Sequence, residues 1–411
     1  MSLVNLDLRG QPPEKQMAEL MAQFKTLRGQ HATMRALLDG NPARLYVSLL
    51  EGGFRVRLER SGPELALVLE PDGSTPRRQP GAHSLVAHPD GRVYVNTTED
   101  RVAVIDAASR RVLRHIAVGR DPQHLELSPD GTRLYVANSG SKDVSVVDTA
   151  TDTVIASGPT GRRPLLPCVA SDGTLFLPSS PDETVTALDA GGRPLATLPV
   201  GESPHDIAVS PDARWAYQPN TASHTLTIID AQKREVVGEI AAGQGPGHIA
   251  FTRDSRFAFV ANTLSDDLTV VDVANHAQTG TIPAGAGAHM PILSHDGRTG
   301  YVANFVSDDL TVWDVERREA RGRIPVGIYP HSFGISPDDA WLVVSNTGES
   351  SVCVADARIG QTVAKLEVGG GPGHVAFDPE GECAFVGCQI SNQVAVIDFR
   401  RQQVVELVEV G

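Results

Sequence analysis

One acid recurs along this chain at an almost constant interval. Asp106, Asp148, Asp189, Asp230, Asp272, Asp314, Asp356 and Asp398 follow one another at 42, 41, 41, 42, 42, 42 and 42 residues. Around each lies the same phrase: Gly-x-x-Pro-His, a short apolar run, Pro-Asp-Gly, Tyr-Val-Ala-Asn, then Val-x-Val-x-Asp and a closing Val-Gly. A copy of this length holds four short β-like runs and cannot bury a core by itself. Stacking such units face to face around an axis produces propeller blades. The repeat therefore predicts an eight-bladed β-propeller over residues 81–411. The array starts at a first strand and stops at a fourth, so no strand is exchanged between first and last blades. Side-chain packing must then close the ring, unless the N-terminal domain helps. The eight aspartates read as turn caps, because a short carboxylate accepts hydrogen bonds from nearby backbone N–H groups.

Residues 1–70 follow a different rule. Leu3 to Leu8 alternates as a strand; Pro12 and Pro13 open a helix with Met17, Leu20, Met21, Phe24 and Leu27 on one face. Met34–Leu38 makes a second strand. A second helix starts at Asn41-Pro42 and stops at Gly52-Gly53, and two alternating strands follow at Phe54–Leu58 and Glu64–Leu69. The order is βαβαββ, a small two-layer α/β domain, with residues 71–80 as a linker. The whole chain is thus mainly β, a propeller preceded by that domain.

The net charge of −14 excludes a nucleic-acid surface, which needs clustered Lys and Arg. No apolar run reaches the length that crosses a bilayer, and Met1–Asp7 has no signal-peptide pattern, so a cytoplasmic location is expected. Cys168, Cys353, Cys383 and Cys388 show no Cys-x-x-Cys spacing and read as small apolar residues. Phosphate loops, Gly-x-Ser-x-Gly and His-Glu-x-x-His are all absent.

The opening Asp7-Leu8-Arg9-Gly10-Gln11-Pro12-Pro13, with Leu45-Tyr46 in the second helix, resembles the TusA-like fold. Sulfur carriers of that fold place a persulfide-forming Cys before a Pro at the first helix. Here the slot holds Pro13, and the first cysteine of the chain is Cys168. Sulfur transfer is therefore not expected, since no thiolate is available. A docking domain for a protein partner, or an anion site at the helix N-terminus near Arg9, is what the resemblance leaves. Tyr135-Val136-Ala137-Asn138, Phe259-Val260-Ala261-Asn262 and Tyr301-Val302-Ala303-Asn304 resemble the YVTN family of β-propellers. That family includes interaction scaffolds, lactonase-like enzymes, copper proteins like nitrous-oxide reductase, and the haem-binding propeller of dissimilatory nitrite reductases. Eight blades is the count of the last group, although the c-type haem motif Cys-x-x-Cys-His is missing here.

Histidine carries the chemistry. His83, His124, His205, His248, His289, His331 and His374 each stand near the start of an innermost strand, where a propeller lines its channel; blade three has Leu165-Leu166 instead. Counted back from the Pro-Asp turn, His83, His205, His289 and His331 lie one residue further out than His124, His248 and His374. Strand neighbours point to opposite faces, so the spacing predicts two sets, of which one faces the channel. The site is then His124, His248 and His374, or His83, His205, His289 and His331. Neutral imidazole binds transition metals and haem iron. The expected function is a ligand-binding propeller holding copper or a haem-type tetrapyrrole, and the resemblance implies nitrogen-oxide or haem metabolism. Two other readings stand beside it. One is a non-catalytic interaction scaffold with the histidines purely structural, binding partners through its N-terminal domain or a propeller face. The other is a lactonase-like hydrolase, which would need a carboxylate-rich metal site. Asp121, Glu202 and Asp206 lie near the channel mouth, but no catalytic residue is singled out.

Overall fold

Middle strands that are apolar throughout and outer strands that alternate are what blades packed on both faces require, and the computed structural model has that pattern. It describes residues 3–9, 19, 33–38, 55–61, 64–70 and 81–411, and the chain divides into two units, Met1–Arg78 and Gln79–Gly411. Strands are numbered in chain order. In the first unit β1 (Leu3–Asp7), β2 (Thr33–Leu38), β3 (Arg55–Ser61) and β4 (Glu64–Glu70) form one sheet in the order β1-β2-β4-β3. β1 and β2 run parallel, the other pairs antiparallel. Leu8 and Ala36 are fully buried, and Arg9 turns back onto Asp7 at 2.8 Å. The two expected helices, the TusA-like likeness that depends on them, and the linker lie outside the described residues.

The second unit is eight four-stranded antiparallel sheets, each using four consecutive strands. In the first blade β5 (Leu85–Ala87) is innermost, β6 (Arg92–Asn96) and β7 (Arg101–Asp106) are buried almost throughout, and β8 (Arg111–Ala117) is largely exposed. All eight repeated aspartates cap the turn after the third strand. Their carboxylates accept from the backbone N–H groups of Ser109, Thr151, Gly191, Lys233, Asn275, Arg317, Arg358 and Arg401. Among the described residues no helix is long and apolar enough to cross a membrane.

Closure needs no exchanged strand. The last blade, β33 (Pro372–Phe377), β34 (Ala384–Cys388), β35 (Gln393–Asp398) and β36 (Gln403–Glu409), packs directly on the first. Ala82, Leu85, Val93 and Val95 share one buried cluster with Phe385, Val394, Val396, Val408 and Val410. Four hydrogen bonds tie the seam: His374 N–H to the His83 carbonyl at 3.1 Å, Ala82 N–H to Asn392 Oδ1 at 3.3 Å, the His115 ring to the Val410 carbonyl at 2.9 Å, and Ser84 Oγ with His374 Nδ1 at 3.5 Å. The first and last blades approach so closely that a Cβ on Gly387 would sit 2.3 Å from the Ala82 carbonyl oxygen. Backbone cannot give way there as a side chain can. Gly387→Ala is accordingly expected to lower the urea-unfolding free energy by about 3 kcal/mol, whereas Gly280→Ala, with open space around the added methyl, should lose none. Equal unfolding midpoints for the two variants would refute closure by this contact.

Candidate metal centre in the propeller channel

Five of the innermost strands enter the channel through an irregular step. In β9 (Pro122–Leu127), Pro122 pairs with Asn138 and His124 with Ala137, leaving Gln123 as an extra residue. In β25 (Ala288–Leu293) and β29 (Pro330–Ile335) the extra residue is the histidine itself, His289 or His331. In β21 (Pro246–Phe251) and β33 the step spans Pro246 to Ile249 and Pro372 to Val375. Such a bulge interrupts the two-residue alternation and re-aims a side chain.

The expected division into an inward and an outward set therefore fails. Both sets converge. His83 of the set of four lies 5.6 Å from His124 and 5.0 Å from His374 between ring centroids, although those two belong to the set of three. His124 and His374 are 5.8 Å apart. On the other side His248 lies 4.8 Å from His205 and 4.5 Å from His289, and His331 bridges to His289 at 5.2 Å and to His83 at 6.0 Å. Alternation counted from the Pro-Asp turn assumed a regular strand up to the histidine. The bulge breaks that count.

Among the described residues, His83, His124 and His374 each bring a ligating atom within 4.8 Å of the others. Nδ1 of His83 and Nδ1 of His124 are buried without a hydrogen-bond partner, as is Nδ1 of His205. Such orphaned acceptors cost free energy unless something fills them. Gly373 keeps the space clear, since a Cβ there would stand 3.0 Å from His83 Nδ1. Desolvation holds the imidazoles of His83, His124, His289 and His374 well below their usual pKa, and neighbouring imidazoles push them lower. The same causes bring His205 to about 3 and His331 to about 4. These six imidazoles are therefore neutral at physiological pH, the form in which imidazole ligates a metal.

The sequence did not single out Glu126 or Cys168 as channel groups. Glu126 follows His124 by two residues, the same-face spacing, and that was the available signal. Desolvation, helped by the Asp206 carboxylate, pushes Glu126 up to about 8, and desolvation with Glu126 and Asp206 pushes the Cys168 thiol up. Of the three carboxylates near the mouth, Asp206 bonds His248, Asp121 accepts from Gln123 Nε2, and Glu202 is exposed.

The family described as "Lactonase, 7-bladed beta-propeller" matches residues 182–361 and 331–410. "Seven-bladed beta-propeller protein Rv1057" of Mycobacterium tuberculosis (strain ATCC 25618 / H37Rv) is 28% identical over 180 residues, 34% of this chain and 46% of that protein. The chain thus spans about half the length of that curated relative. A similar solved structure is the "Dihydro-heme d1 dehydrogenase NirN in complex with DHE", with TM-score 0.67 and 17% identity over 79% of this chain and 74% of that one. A chain of Kuenenia stuttgartiensis hydrazine synthase gives 0.56 and 19% over 78% and 96%. One of the mitotic checkpoint complex gives 0.56 and 17% over 64% and 83%. At such identities the likeness is one of fold.

The neutral imidazoles set a pH dependence. In the unfolded chain His205 ionises near 6.5, and in the folded one near 3, so between those values the unfolded state binds more protons. Its contribution is complete above the unfolded pKa and is lost as the pH falls, by up to ~1.4 kcal/mol per pH unit. Urea unfolding with chelator present, measured from about pH 7.5 to 5, should show that decline, and His205→Gln should make it shallower. An unchanged slope in the variant would mean that His205 is solvated.

Proposed function

This chain belongs to the family described as "Lactonase, 7-bladed beta-propeller", and from that premise, with an eighth blade and a collar of histidines, we propose that it is a ligand-binding propeller holding a transition-metal ion on His83, His124 and His374. One observation carries the reading: three imidazoles whose ligating atoms lie within 4.8 Å of one another, two of them with a buried, unpartnered Nδ1. Ligands of a tetrahedral ion stand about 3.4 Å apart, given metal–nitrogen bonds near 2.0–2.1 Å, so small ring rotations complete the site. An all-imidazole set suits zinc, copper, iron or nickel rather than magnesium or calcium. Three protein ligands leave a fourth position for water or a small molecule, where a bound ion supplies Lewis acidity.

A haem-type ligand is the second reading, supported by the fold likeness to NirN, whose structure contains DHE. Neighbouring collar centroids stand 4.5–6.1 Å apart, too close to admit a macrocycle between adjacent rings. A tetrapyrrole would lie over the collar with one imidazole beneath its iron, and nitrogen-oxide or haem chemistry would be its setting.

The chain purified without a metal-binding tag should carry close to one equivalent of copper, zinc, iron or nickel. His124→Ala and His374→Ala should each weaken retention at least about tenfold. Elemental analysis and the visible spectrum measure both readings together. A Soret band would move the assignment to a tetrapyrrole. A colourless protein that takes up neither metal nor haem would remove the reading and leave the interaction scaffold. Lactone hydrolysis assayed on the same preparations, with and without chelator, decides whether the site does hydrolytic work.

A further inference from the structure

The proposed centre uses only one side of the collar. Across the channel His205, His248 and His289 form a second compact group, with centroid separations of 4.8, 4.5 and 6.1 Å. His205 Nδ1 is buried and has no partner. His248 Nδ1 lies 3.1 Å from Asp206 Oδ2, and the same carboxylate accepts from the Ile207 backbone N–H through Oδ1 at 2.9 Å. Gln218 Nε2 fixes the Asp206 carbonyl at 2.8 Å. A carboxylate only accepts, so Nδ1 of His248 is the donor, and in the neutral ring Nε2 is the nitrogen with the free lone pair. This is the arrangement that holds metal-ligating imidazoles elsewhere: the far ring nitrogen donates to a carboxylate, which sets the tautomer and raises the basicity of the other nitrogen.

We propose that the channel holds a second divalent cation on His205, His248 and His289, with Asp206 as the residue that positions His248. The inference rests on the reading of the channel as a metal site and extends it to two ions. Unlike those of His83, His124 and His374, the ligating atoms of His205, His248 and His289 do not all lie within 4.8 Å of one another, so the rings must rotate to close the set. Two cations in one narrow channel repel each other, and the second position is the one provided with a compensating charge. Asp206 supplies it directly, whereas the donors of the first position are imidazoles alone. His331, between His289 and His83, separates the two.

Cobalt(II) added to the metal-stripped full-length chain tests this, with calorimetric stoichiometry and visible absorption read together. Two equivalents are expected. Asp206→Asn should weaken one of them by about 10–100-fold and leave the other unchanged, and His374→Ala should do the converse. If Asp206→Asn does not fold, His205→Gln gives the same readout. A single equivalent, lost in His374→Ala and untouched in Asp206→Asn, would overturn the second site and leave the first intact. A single equivalent weakened only in Asp206→Asn would overturn both the two-ion proposal and the His83–His124–His374 assignment. Absence of cobalt uptake would overturn both readings.

Discussion

At four of the eight seams one blade pins the next at a carbonyl one or two residues before the channel histidine, and the position of the collar depends on those pins. Asn96 Nδ2 donates to the Pro122 carbonyl at 2.9 Å, Thr221 Oγ1 to Pro246 at 2.8 Å, Thr263 Oγ1 to Ala288 at 3.0 Å and Thr347 Oγ1 to Pro372 at 2.7 Å. In every case the donor comes from the preceding blade. Three of the four carbonyls belong to proline, which has no N–H to offer the ladder, so its carbonyl is the group available for a lateral bond. With that carbonyl fixed from outside the blade, the strand takes up its spare residue as a bulge and delivers the imidazole to the axis.

The pinned histidines are not equivalent, because each blade adds something different behind its own. Blades one and two bring imidazoles with an unpartnered Nδ1, whereas Nδ1 of His374 on blade eight meets Ser84 Oγ at 3.5 Å. Blade two adds Glu126 two residues after its histidine, and on the opposite side the Asp206 carboxylate is bonded to His248. On blades six and seven Phe305 stands 5.5 Å from His289 and Tyr329 stacks 6.4 Å from His331. Tyr329 holds a positive φ of 57° at a place where blades five, six and eight use Gly245, Gly287 and Gly371. A bulky residue in that conformation costs roughly 1–2 kcal/mol and persists only where packing over-determines it. Here the packing is a 4.7 Å contact with Phe305. A nearly eightfold sequence thus builds a channel with distinct sides.

Much of this was legible from residue types and spacing. The period of the aspartates set the blade count, their turn chemistry was readable in Asp148-Thr149-Ala150, and the seven histidines could be placed at the channel by their position in the repeat. What misled was the strict two-residue alternation, which separated His83 from His124 and His374. A bulge leaves no mark in a sequence of Pro-x-His and Pro-His, since either wording fits a regular strand. Glu126 was hidden for a related reason: a lone acid on a channel strand reads as a polar residue until desolvation by neighbouring blades is known.

The sequence by itself determined the repeat, and through it the propeller, its direct closure between first and last blades, and the residue types available to the channel. Local propensity and period suffice for those, because each blade is built from contacts within about 40 residues of one another. Only the tertiary structure decided which imidazoles meet. His83 and His374 are 291 residues apart and become neighbours across the closing seam, where Gly373 and Gly387 let two backbones touch. No local pattern encodes a distance across a ring. It is set when the eighth blade packs against the first.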